Sequence, residues 1–109
     1  MSNTLPKPVA AYIAASNAHD VEGSAIPFAD DAVVHDESRD HRGRAAIRAW
    51  KAEVTKKYRP HVDVIDAEEA NGKTIVRGKV SGDFPGSPVV LRYAFTLAGD
   101  RIARLEIVP

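Results

Sequence analysis

The chain has 109 residues, 44% apolar and 28% charged, which fits one globular domain with a single core and room for one ligand cavity. Fifteen Lys and Arg balance fifteen Asp and Glu, so no bulk charge draws the chain to nucleic acid or an anionic membrane. Cysteine is absent, which excludes disulfides, thiolate nucleophiles and cysteine metal sites.

The opening Met1-Ser2-Asn3-Thr4-Leu5-Pro6 lacks the charged and apolar regions of a leader. No apolar run approaches the ~18 residues of a membrane span. A soluble cytoplasmic protein is expected. Leu5, Val9, Tyr12, Ile13 and Ser16 fall on one helical face. Pro6 and Pro8 suit the first turn of that helix, which fades near Asn17–His19. Asp20 is placed to cap a short second helix through Ser24, limited by Pro27.

Asp31–Glu37 reads as a strand containing Ala32-Val33-Val34-His35-Asp36. Side chains alternate along a strand, so Asp36 shares a face with Val34. If that face is the inner one, a carboxylate enters an apolar interior. There it needs a partner or a shifted pKa, and perturbed carboxylates in apolar pockets serve proton transfer. The alternative is a strand-end salt bridge with Arg42 or Arg44. Ser38–Arg42 reads as a polar loop.

The most regular helix runs from Arg44 to Tyr58, with Ile47, Trp50, Val54 and Tyr58 as its apolar stripe. Arg44, Arg48 and Lys51 flank that stripe and read as a solvated face. Strands follow. His61–Ala70 leads through Asn71-Gly72, a type I′ hairpin signal, into Lys73–Phe84. In the latter, Thr74, Val76, Gly78, Val80, Gly82 and Phe84 share one face. The inner glycines either bend the sheet or leave volume for a ligand. Val89, Leu91, Tyr93, Phe95 and Leu97 alternate with Val90, Arg92, Ala94 and Thr96. A turn at Ala98-Gly99-Asp100 precedes the last strand, Arg101–Val108, with Leu105 and Ile107 facing inward. Strands with one wet face indicate an antiparallel sheet, here covered by two amphipathic helices. The expected class is α+β in the order ααβαββββ.

Four histidines are present, but no H-x-H or HExxH spacing occurs, so no metal is expected. His35 faces away from Asp36 and reads as a surface or dimer-interface residue. No G-x-S-x-G, G-x-G-x-x-G or phosphate loop occurs, and any reaction is expected to need no cofactor.

Three segments, residues 11–20, 28–36 and 42–50, resemble the ketosteroid isomerase and SnoaL-like cyclase branch of the nuclear transport factor 2-like superfamily. The element order resembles that fold over nearly the whole chain. The resemblance implies a curved, cystatin-like sheet folded around helices into a cone. It places Asp36 on the isomerase's base and Tyr12 on its tyrosine donor. The third polar position falls on Tyr93 where the isomerase has an acid, but a phenol is also a hydrogen-bond donor. The loop between Asp36 and Gly43 is shorter than in the isomerase. The pocket is then expected to be lined by Phe28, Val34, Trp50, Val80, Phe84, Leu91, Phe95 and Leu105.

This reading implies an enzyme that enolises an apolar carbonyl compound, as isomerase or cyclase. The alternatives are a non-catalytic binder of a hydrophobic small molecule and a dimeric interaction domain. A homodimer is expected through the outer sheet face near Ile75, Val90 and Ala94, with neither nucleic acid nor membrane as a partner.

Overall fold

A computed structural model of the chain describes residues 5–109. The opening segment read for a leader lies partly outside them, at residues 1–4. Three helices, α1 (Lys7–Asn17), α2 (Val21–Ala25) and α3 (Arg44–Tyr58), lie against one six-stranded sheet. The strands are β1 (Phe28–Asp36), β2 (Arg39–Arg42), β3 (His61–Ala70), β4 (Lys73–Ser81), β5 (Val89–Ala98) and β6 (Arg101–Val108). Their order across the sheet is β2-β1-β6-β5-β4-β3. Among the described residues, only β1 and β6 pair in parallel. The class is the α+β fold that the alternation predicts.

Local chemistry explains most boundaries. Pro8 sits in the first turn of α1, where its missing N–H is no loss. Asp20 caps α2, its carboxylate accepting from the Gly23 N–H at 2.9 Å. Arg59 closes α3 in the left-handed conformation just before Pro60. Asn71 and Gly72 both have positive φ, as the tight turn between β3 and β4 requires.

The segment Ser38–Arg42, read as a loop, contains a strand. β2 pairs with β1 from Val33↔Arg42 to Asp36↔Arg39. The turn between them is Glu37-Ser38, with φ of 53° and 63°. Two successive left-handed residues make a hairpin turn of the primed kind. Neither is Gly, Asn or Asp, so the usual signature of that turn is missing. The strand read as Lys73–Phe84 is shorter, ending at Ser81.

Register shifts in the β1–β6, β3–β4 and β5–β6 pairs interrupt the ladders. Such bulges bend strands and add twist, and the sheet curves around the helices. The inner face carries Val76, Val80, Tyr93, Phe95, Ile102 and Leu105, all buried; Val90, on the other face, is 48% exposed. One end of the cone is densely packed. Phe28 and Phe95 each meet the Tyr12 ring edge-on, with centroids 5.6 and 5.9 Å away.

The inner glycines leave no ligand volume. A Cβ on Gly78 would lie 2.7 Å from Val62 Cγ1, and one on Gly82 would lie 2.6 Å from the Tyr58 carbonyl oxygen. Both positions therefore let neighbouring chain come close. Gly82→Ala should destabilise the fold by about 1–3 kcal/mol, because a backbone carbonyl cannot swing aside as a side chain can. Urea unfolding monitored by Trp50 fluorescence checks this; an unchanged midpoint would mean that the end of β4 yields freely.

Candidate active site

The packed end of the cone gives way to a cavity of about 330 Å³. Its apolar wall includes Trp50, Val54, Val62, Val80, Phe84, Leu91 and Ile107. Its polar groups come from Tyr12, Ser16, Asp36, Glu37, Lys51, Tyr58 and Tyr93. Of the residues expected around a ligand, Trp50, Val80, Phe84 and Leu91 border this space together with Asp36, Tyr12 and Tyr93. Phe28, Val34, Phe95 and Leu105 do not. Each is fully buried in the packed core, on the predicted inner face but beyond the cavity floor. Alternation identifies a face; it says nothing about depth along a cone.

Asp36 is the last residue of β1. Its Oδ2 accepts a hydrogen bond from the Trp50 indole N–H at 3.0 Å. Neither arginine of the salt-bridge alternative holds it. Arg44 instead pairs with Asp30 at 3.0 Å and donates to the Phe28 carbonyl at 2.6 Å. Burial raises the Asp36 pKa above its usual value. The Trp50 hydrogen bond is the largest influence opposing that rise, Glu37 adds to it, and Lys51 and His41 pull it down. The His41 ring packs on Trp50 with centroids 5.8 Å apart and so helps to fix the indole.

Tyr12 lies on the buried face of α1 and Tyr93 on the inner face of β5. Burial drives both phenol pKa values up, and the negative field of Asp36 pushes them the same way. Both hydroxyls therefore stay protonated near neutrality, which keeps them available as donors.

Lys51, whose residue type and place beside the stripe suggest a solvated helix flank, is instead buried. It is 4% exposed. Its Nζ donates to the Tyr12 hydroxyl at 3.2 Å. It lies 5.1 Å from the centre of the Tyr12 ring and 5.2 Å from that of Trp50. Burial lowers its pKa to about 8, against an opposing pull from Asp36. The missed signal was positional: Lys51 is four residues after Ile47 and three before Val54, the spacing of the apolar stripe itself.

Glu37 also borders the cavity, which the strand pattern does not reveal. It accepts from the Tyr58 hydroxyl at 3.1 Å, and Tyr58 meets Phe84 edge-on at 5.8 Å. His35 pairs with Asp40 at 2.7 Å across the β1–β2 hairpin. Among the described residues no three His, Asp or Glu side chains are grouped to hold a metal. No helix among them is long and apolar enough to cross a membrane.

The sequence pattern of the SnoaL-like domain matches residues 9–105. The chain is similar in structure to a candidate polyketide cyclase from Sinorhizobium meliloti, with 43% identity over 94% of each chain and a TM-score of 0.90. It shares 22% identity with a protein of ketosteroid isomerase-like fold from Catenulispora acidiphila, solved with trimethylamine. That match covers 97% of this chain and 87% of the other, with a TM-score of 0.84. A cystatin-fold protein from Novosphingobium aromaticivorans is 23% identical, with 100% and 99% covered and a TM-score of 0.79. At these two lower identities the likeness is one of fold. None of the curated protein sequences matches this chain.

The buried amine makes a stability prediction. Lys51 has a folded pKa of about 8 against 10.5 when free. Between those values the unfolded chain binds more protons than the folded one, so this group's contribution to stability rises with pH. Its full penalty, roughly 3 kcal/mol, applies below pH 8 and is gone above 10.5. Lys51→Met should therefore be more stable than the parent at pH 7, by up to that amount, with the gap shrinking toward pH 10. Urea unfolding of both proteins at the two pH values measures it; an equal gap at both would rule out a titrating buried amine.

Proposed function

This chain belongs to the SnoaL-like domain family, and we propose that its cavity binds a compact apolar carbonyl compound whose neighbouring C–H proton is removed by Asp36. The observation that carries this reading is the Asp36 environment: an apolar wall, a single indole donor at 3.0 Å, and two protonated phenols sharing the cavity. Burial makes the carboxylate a stronger base than it is in water, and the indole hydrogen bond limits the rise and aims the group. Proton loss from carbon moves negative charge onto the carbonyl oxygen. The Tyr12 and Tyr93 hydroxyls supply hydrogen bonds to that oxygen, and the Lys51 ammonium beside Tyr12 adds a positive field. An apolar cavity strengthens each of these interactions.

The volume of about 330 Å³ is at the small end for ligand sites, which favours a compact ligand. The name of the Sinorhizobium relative, a candidate polyketide cyclase, is in keeping with this chemistry, since aldol cyclisation and double-bond isomerisation both begin with an enolate. No cofactor enters the proposed step. A homodimer through the outer sheet face belongs to the same proposal: Val90 is 48% exposed there. Light scattering should give about twice 11.8 kDa, and a monomer mass at high micromolar concentration would refute it.

The reaction is tested by following deuterium uptake next to the carbonyl of small cyclic ketones in D₂O by NMR. Asp36→Asn should slow uptake by about two to four orders of magnitude while ligand-induced changes in Trp50 fluorescence persist. Tyr12→Phe should slow it by a smaller factor. Exchange at the parental rate in Asp36→Asn would remove this carboxylate from the chemistry. Binding with no exchange in any protein would leave a ligand-binding protein instead.

A further inference from the structure

We propose that Lys51 is a nucleophilic amine that condenses with the carbonyl carbon of an aldehyde or ketone in this cavity, forming an iminium ion. The inference rests on the reading of the cavity as a carbonyl site, and adds a covalent route to the acid–base one.

The geometry around Nζ carries the argument. Lysine is seldom fully buried without a charged partner, yet Lys51 is 4% exposed. Its hydrogen-bond partner is a neutral phenol, Tyr12, at 3.2 Å. Among the described residues no carboxylate lies within 4.0 Å of it. An ammonium has three N–H donors, so among the described residues two have no partner. The faces of Tyr12 and Trp50, both just over 5 Å from Nζ, compensate only a part of the lost hydration. Loss of a proton relieves what remains and leaves a lone pair in an apolar cavity.

Titration is consistent with that geometry. With a pKa of about 8, about one amine in ten is neutral at pH 7, whereas only about one in three thousand free lysines is. A purely hydrogen-bonding role for Nζ would duplicate what the Tyr12 and Tyr93 hydroxyls already offer.

The step balances without an outside reagent. The nitrogen lone pair forms the C–N bond as the carbonyl π pair moves to oxygen, and Asp36 takes the proton that nitrogen sheds. Asp36 hands that proton to the alkoxide, giving a neutral carbinolamine. A second proton, drawn from solvent in place of the one the ammonium released on becoming a free amine, lets the hydroxyl leave as water while nitrogen forms C=N⁺. From a ketone bearing a neighbouring C–H, Asp36 next accepts that proton and the electron pair flows into the iminium to give an enamine. Water reverses the linkage and frees the amine. Nothing is oxidised or reduced.

The test is reductive trapping. The protein is incubated at pH 7 with 6-methoxy-2-naphthaldehyde and sodium cyanoborohydride, and the adduct is located by peptide mass mapping. This aldehyde has no C–H next to its carbonyl, so it reports the imine separately from enolisation. Among the lysine side chains one fast adduct is expected, at Lys51, forming roughly tenfold or more faster than at any of the other five; the α-amino group, which also reacts at this pH, is mapped separately. Lys51→Arg, which keeps the charge, should lose that adduct. Labelling spread over the other lysines with Lys51 untouched would overturn the proposal. Ketone deuterium uptake, measured in parallel, separates the two readings. Asp36-dependent uptake that is unaffected by Lys51→Arg, with no Lys51 adduct, would refute the amine role and leave enolisation standing. A Lys51 adduct without uptake in any protein would establish the amine site and refute enolisation.

Discussion

The hydrogen bond from the Trp50 indole to the Asp36 carboxylate joins the two halves of this molecule at its most costly point. Asp36 ends β1 and Trp50 lies in the middle of α3, so the contact ties sheet to helix. A carboxylate beside an apolar cavity tends to take up a proton. A charge-assisted N–H···O bond of 3.0 Å resists that by stabilising the ionised form. The indole can do this only if α3 is held in place. Ile47 anchors the helix in the core, Arg44 ties its start to the Phe28 carbonyl, and His41 from β2 packs on the ring. The overlooked strand thus has a function in the site: without β2, one face of Trp50 would lose its packing partner. The tight turn feeding β2 holds Glu37 and Ser38 left-handed, a strained conformation for such residues. Eight backbone positions paired across β1 and β2 hold the turn in that shape.

The cone divides its labour along its length. At the closed end Phe28, Val34, Phe95, Ile102 and Leu105 are wholly buried and packed together. Burial of apolar side chains there, each contributing roughly 1.5–3 kcal/mol, offsets the burden of the open end. The open end concentrates what a stable core avoids: a carboxylate and an amine with few partners, together with buried phenols. Gly78 and Gly82 let the chain close in beside the cavity, since Val62 and the Tyr58 carbonyl occupy the space their side chains would fill, and both Val62 and Tyr58 line it.

Much of this was legible in the sequence, and the gaps have physical causes. The inner and outer faces of β4, β5 and β6 follow from period-two alternation, and the Asn71-Gly72 turn from residues that adopt positive φ readily. Asp36 could be singled out because a charge interrupts an apolar strand. β2 was not legible: Glu37-Ser38 lacks a turn signature, and Arg39-Asp40-His41-Arg42 is polar on both faces, as befits the sheet's outer edge. Lys51 was misread for a different reason. Its residue type spoke for solvent, while its spacing from Ile47 and Val54 spoke for the core, and the spacing was the better guide. The apolar positions shared a third difficulty. Phe95 and Leu91 alternate on the same strand face, yet Phe95 packs in the core and Leu91 borders the cavity. Depth along a curved sheet depends on its bend, which no local pattern encodes.

Lys51 and Asp36 also explain each other. Each charge eases the other's burial: Lys51 pulls the Asp36 pKa down and Asp36 pulls the Lys51 pKa up. In contact, these effects would grow until both groups were locked in an ion pair, fully charged and chemically quiet. Separation by more than 4.0 Å leaves the coupling too weak for that. Indole and phenol partners take the place of a direct bridge, so neither group is quenched by the other. Desolvation then acts on both, making the carboxylate more basic and the ammonium more acidic. Both pKa values move toward neutrality, which is where a group must lie to give and take protons at physiological pH. Both groups border the same cavity, so a ligand held there meets a base and an amine that have not neutralised each other.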